Sequence, residues 1–93
     1  MQIRYYVLPD GNQFKVLREG KRRGFHSTQG AAIESALFMG SIEAAKQQTT
    51  VELFIEEGGR LVLDRIIGPD DRVGLSATGR PRVIRVGAEE VLA

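Results

Sequence analysis

Cysteine is absent from this chain and histidine occurs once, as His26. Without cysteine there are no disulfides and no thiolate metal ligands, so the fold must rest on packing alone. Cys–His chemistry is excluded, and a Ser–His pair would have to use His26, which stands just before a helical segment in a capping or surface position. No apolar run approaches the roughly 20 residues that span a bilayer, so no membrane partner is expected. The start of the chain lacks a basic stretch followed by a long apolar one; no signal peptide and a cytoplasmic location are the expectation. Catalytic motifs are missing too. Gly74-Leu-Ser-Ala-Thr-Gly79 is not Gly-x-Ser-x-Gly, and Gly58-Gly59 joins two strands instead of opening a helix. The carboxylates of Glu56-Glu57 and Asp70-Asp71 sit side by side at turns and diverge. These features point to a non-enzymatic protein with no catalytic residue, metal ligand or cofactor.

What is present is one domain's worth of chain. Its 93 residues are 42% apolar and 27% charged, which is too apolar for intrinsic disorder and enough for a modest core. Thr28 to Gln48 has no proline, is rich in alanine and repeats its apolar residues at three and four, so it predicts a helix with Ser27 or Thr28 as N-cap. One stripe of that helix holds Ile33, Ala36, Leu37, Gly40 and Ala44, the small residues allowing a close seat on a sheet. A second stripe holds Phe38, Ile42 and Ala45 and faces elsewhere.

Strands are expected on both sides of the helix. Ile3–Leu8 and Gln13–Arg18 flank the turn Pro9-Asp-Gly-Asn12, with Tyr5, Val7, Phe14 and Val16 inward by pleat parity. Residues 19–24, Glu-Gly-Lys-Arg-Arg-Gly, read as a polar turn. Val51–Glu56 and Arg60–Ile67 form a second hairpin around Gly58-Gly59; parity puts Leu61 and Leu63 inward and Val62, Asp64 and Ile66 outward. The predicted fold is an α+β two-layer sandwich, β-β-α-β-β, with a four-stranded, largely antiparallel sheet and one long helix on one face. Residues 1–68 make the domain. Residues 69–93 are a partly ordered extension with an extra strand at 82–86.

The order of these pieces resembles the DUF2188 family of small bacterial proteins. The residues that carry the likeness are Tyr5, Tyr6, Val7 and Pro9; Phe14 to Gly20; Thr28, Gln29, Ala32 and Ile33; and Gly59, Arg60 and Gly68. It covers residues 3–68, and Phe14 stands where that family usually has tryptophan. The resemblance implies the ββαββ order and no particular chemistry.

Charge is unevenly spread. Residues 1–26 carry +4 and residues 49–71 carry −4, within a net +1. Such a dipole orients a partner, whether nucleic acid or a second copy. Two functional readings follow. The first is a protein-interaction module, self-associating as a homodimer or binding another protein, through Phe38 and Ile42 on the outer helix stripe and Tyr6, Leu17, Phe54 and Val62 on the outer sheet face. The second is single-stranded nucleic-acid binding, with Tyr6 and Phe54 as stacking platforms and Arg4, Lys15, Arg18, Lys21, Arg22 and Arg23 as phosphate partners. A third arrangement is a monomer whose tail, through Val83, Ile84 and Val86, covers one of the two apolar faces.

Overall fold

The computed structural model describes the backbone of residues 2–75 and 81–85, and side chains for residues 2–71. Strands β1 (Gln2–Asp10), β2 (Gln13–Arg18) and β3 (Lys21–His26) precede helix α1 (Gln29–Gln47), which is followed by β4 (Thr50–Glu57), β5 (Arg60–Ile67), β6 (Asp71–Leu75) and β7 (Pro81–Arg85). Five strands make one mixed sheet in the order β3-β2-β1-β4-β5, and β6 and β7 form a separate antiparallel pair. The α+β class and the single long helix on one sheet face agree with the sequence reading. The central pair β1–β4 is parallel and the other pairs are antiparallel.

The additional strand is β3, in the segment that reads as a turn. Only Glu19 and Gly20 turn, both at positive φ (51° and 86°), as a two-residue hairpin between right-twisted strands requires. The Glu19 backbone N–H donates to the Arg4 carbonyl at 2.8 Å, and the Glu19 carboxylate accepts from the Arg4 N–H at 2.6 Å. These bonds hold the turn against β1 and let Lys-Arg-Arg-Gly run back beside β2. β3 is an edge strand, where exposed cations discourage pairing with another chain, so its composition suits its place.

Helix α1 starts at Thr28, whose hydroxyl accepts from the Ala31 N–H at 3.1 Å, and ends at Gln48 in the left-handed region. It buries Ala32, Ala36, Leu37, Gly40 and Ala44. Against them lie Ile3, Tyr5 and Val7 of β1, Val16 of β2, Val51, Leu53 and Ile55 of β4, and Ile67 of β5. Phe14, Ile33 and Met39 pack at the margin of this core. At Gly40 the approach is close: an added Cβ would stand 3.0 Å from Val51 Cγ1 and 3.4 Å from Ile67 Cδ1.

Two β-bulges shift the register. One lies between Val16 and Leu17 opposite β3, the other between Leu53 and Phe54 opposite β5. In the second, Leu53 pairs with Arg65 and Phe54 with Leu63, leaving Asp64 as the extra residue. A one-residue insertion exchanges the faces of everything beyond it. The simple alternation for β5 is therefore corrected. Val62 pairs with Ile55 and faces the helix, whereas Leu61 and Leu63 face away and are 54% and 44% exposed. Ile66 and Ile67 lie on the other side of the bulge and keep the expected parity.

The turn after β5 is closed by Asp71, whose buried carboxylate accepts from the Gly68 N–H at 2.7 Å. It leads into β6, which lies against α1. The cover expected from Val83, Ile84 and Val86 falls outside the described side chains.

The packing makes a stability prediction. Leu37→Ala is expected to cost about 2–5 kcal/mol, the range for a fully buried leucine. Gly40→Leu is expected to cost more than Gly40→Ala, because its longer side chain must displace Val51 and Ile67. Urea unfolding of the three variants checks both, and a Leu37→Ala change without effect would contradict this seat for the helix.

Candidate functional site

The sheet face turned away from α1 is formed by three rows of side chains. Register places Arg22, Leu17, Tyr6, Phe54 and Leu63 across β3, β2, β1, β4 and β5 in one row. A neighbouring row runs Phe25, Lys15, Leu8, Glu56, Leu61, with Glu56 level with Leu8 by continuing the β1–β4 ladder one step beyond Val7 and Ile55. The third holds Arg4, Glu52 and Ile66. Tyr6 and Phe54 stack with ring centroids 5.6 Å apart and planes 23° from parallel. Arg22 lies over the Phe25 ring at 4.7 Å from its centroid, and Arg4 Nε donates to Glu52 at 3.1 Å.

The centre of this face is apolar. Tyr6, Leu8, Leu17 and Phe54 are partly buried by one another, while Phe25, Leu61, Leu63 and Ile66 are exposed at 39–54%. Of the six residues expected at an interface, the structure brings Tyr6, Leu17 and Phe54 together here. Val62 is on the helix side, for the reason given above. Phe38 and Ile42 are exposed on α1, at 40% and 66%, but belong to the opposite surface. Sequence parity missed Leu61 and Leu63 because nothing in Arg60–Ile67 announces the bulge. Phe25 was missed because its strand reads as a turn.

The six cations expected to hold phosphates are divided between the two faces. Arg4, Lys15 and Arg22 are on the open face, where Arg4 is already paired with Glu52. Arg18 pairs with Tyr5 in the ladder and Lys21 with Arg18, which puts both on the helix side. Arg23 is the extra residue of the β2–β3 bulge and borders the helix beside Tyr5 and Glu43. The expected placement of Arg18 beside Tyr6 and Phe54 is thus corrected, because its pleat position is that of Tyr5. Glu52 and Glu56 share the open face with the three remaining cations, so no continuous positive track accompanies the stacked rings.

On the helix side, Arg18, Glu43 and Tyr5 form a polar cluster at the edge of the core. Arg18 Nε donates to both Glu43 oxygens at 2.9 and 2.8 Å, its Nη2 donates to Oε2 as well, and the Tyr5 hydroxyl donates to Oε1 at 2.7 Å. The Arg18 hydrogen bonds hold the Glu43 carboxyl below the usual carboxylate range; its partial burial opposes this and the Tyr5 hydroxyl adds to it. Burial, with the hydrogen bond and negative charge of Glu43, pushes the Tyr5 hydroxyl up to about 12. The cluster has no nucleophile beside a base. It ties β1 and β2 to α1. Among the described residues, no group of three or more His, Asp or Glu side chains is placed to hold a metal ion, and no helix is long and apolar enough to cross a membrane.

The pH dependence of stability follows from these directions. A depressed Glu43 stabilises the fold when ionised; that contribution is present above the ordinary carboxylate pKa and is lost as pH falls through the folded value. A raised Tyr5 stabilises the fold when protonated; that contribution is full below about pH 10 and is lost as pH rises toward about 12. Glu43→Gln is expected to cost about 1.5–3 kcal/mol near neutral pH, as for hydrogen bonds to a charged group, and to flatten the acid limb of the stability curve. Tyr5→Phe is expected to flatten the alkaline limb. Urea midpoints across both limbs check this, and limbs parallel to the parent's would refute it.

No family model, curated protein or solved structure matches this chain.

Proposed function

We propose that this protein is a non-enzymatic interaction module that pairs with a second copy of itself through the open sheet face. The DUF2188 likeness over residues 3–68 and a cytoplasmic location are part of the same proposal. The observation that carries it is the row Phe25, Lys15, Leu8, Glu56, Leu61. Lys15 and Glu56 flank the central strand β1 at the same level, with opposite charge. A two-fold axis lying in the face along β1 exchanges β2 with β4 and β3 with β5. Lys15 of each copy then meets Glu56 of the other, and Leu17 meets Phe54.

The same operation sets Phe25 against Leu61, so an exposed apolar group at one edge meets one at the other, and it lays the aliphatic stem of Arg22 against Leu63. Self-complementarity of this kind is what an isologous contact requires. Aligned packing of two sheet faces, with interdigitating side chains, is an established way to bury such surfaces. The stacked Tyr6 and Phe54 provide a rigid aromatic centre, the kind of residue that dominates interface energetics. The opposite charges add orientation more than affinity.

Sedimentation velocity on the parent at high micromolar concentration is expected to show a dimer. Phe54→Glu or Leu63→Asp is expected to give a monomer, and Phe38→Glu, on the other surface, to leave the dimer intact. Lys15→Glu and Glu56→Lys are each expected to weaken pairing about fivefold or more, and the double exchange to restore most of it, as coupled charges do. A monomeric parent, or a dimer broken by Phe38→Glu alone, would overturn the reading.

A further inference from the structure

Between β3 and the C-terminal half of α1 lies an open depression of about 280 Å³, lined by Tyr5, Arg23, Met39, Ile42, Glu43, Lys46 and Gln47. It is on the surface opposite the open sheet face and plays no part in the pairing proposed above. Two cations border it. Among the described residues, neither Arg23 nor Lys46 forms an ion pair. The one carboxylate in the lining, Glu43, is taken up by Arg18 and Tyr5.

Arg23 is there because of the bulge. Val16 pairs with Gly24, so an unbroken ladder would pair Leu17 with Arg23 and place Arg23 on the open face. Instead Leu17 pairs with Arg22, and Arg23 is the extra residue, next to the Tyr5–Glu43 cluster. Bulges re-aim side chains, and they occur both at sheet edges, as here, and next to active sites. Arg18 matters equally: its hydrogen bonds occupy the Glu43 carboxylate, so Arg23 keeps only a through-space attraction to it and no direct ion pair. Met39 and Ile42 supply an apolar wall between the two cations' elements. Such a surface suits a small amphiphile with an anionic head and a short apolar tail.

We propose that this depression binds a small organic oxyanion, a carboxylate or phosphate monoester, with its head between Arg23 and Lys46 and its apolar part on Met39 and Ile42. Guanidinium and ammonium groups both bind such heads, arginine in the bidentate manner. The wall accounts for a preference for a tailed anion over a bare one.

The test is a nuclear magnetic resonance titration of the 93-residue chain with hexanoate, hexyl phosphate and acetate at constant ionic strength. At least one tailed ligand is expected to shift the backbone amides of Arg23 and of residues 42–47 saturably. The expected Kd is on the order of 1 mM, suited to ligands of about eight to eleven heavy atoms in an open site. Acetate is expected to bind about tenfold more weakly, and whichever of the two tailed ligands binds more tightly identifies the head group. Arg23→Gln and Lys46→Gln, both at exposed positions, are each expected to weaken binding at least fivefold with an unchanged urea midpoint, and Lys46→Arg to retain it. Shifts that stay linear with every ligand, or an affinity that neither glutamine variant alters, would overturn the proposal.

Discussion

The close approach of α1 to the sheet is the constraint on which the other features depend. Ala36, Gly40 and Ala44 leave the helix backbone near Val51 and Ile67, and Leu37 fills the remaining core space beside them. This seat covers one sheet face and leaves the other bare. It also brings Glu43, at the edge of the buried stripe, within hydrogen-bond reach of Tyr5 and Arg18. A bulkier stripe would lift the helix, separate that cluster and open the core at once. The small residues thus govern both the packing and the polar edge.

The two bulges then decide what each surface displays. Opposite β3, the extra residue is Arg23; the strand sends Arg22 to the open face and Lys21 and Arg23 to the helix side, where a regular ladder would do the reverse. Opposite β5, the extra residue is Asp64, and Leu61 and Leu63 join Phe54 on the open face while Val62 turns inward. Both bulges lie on pairings with edge strands, where interrupted ladders and charged side chains hinder open-ended addition of further strands. An apolar face bounded by such edges favours a closed contact over an extended one.

Charge acts at two levels in this molecule. The sequence dipole between the +4 N-terminal segment and the −4 segment around β4 and β5 becomes, after folding, a gradient across the sheet from β3 to β5. Locally the same charges are used differently. Arg4–Glu52 and Arg18–Glu43 bind neighbouring elements together, whereas Lys15 and Glu56 stand on either side of β1. Exposed ion pairs contribute little to stability, but the Arg18–Glu43 pair is partly buried, accepts a phenol hydrogen bond and links helix to sheet.

Sequence by itself determined the helix, its N-cap to within Ser27 or Thr28, its buried stripe and the inward residues of β1 and β2. In each case a local rule, the 3.6-residue or two-residue period or a capping hydroxyl, coincides with the tertiary outcome. The parallel pairing of β1 with β4, the strand status of residues 21–26 and the faces of β5 were decided only by the tertiary structure. Lys-Arg-Arg-Gly has no intrinsic preference for a strand and becomes one because β2 offers an unpaired edge after the Glu19-Gly20 turn. A bulge depends on how two strands fit under a twisting helix, so nothing within Arg60–Ile67 records it. For the same reason the open apolar face was legible in outline from Tyr6, Leu17 and Phe54. The Arg23–Lys46 depression was not, because its residues are brought together by a register shift and by the seat of a helix encoded elsewhere in the chain.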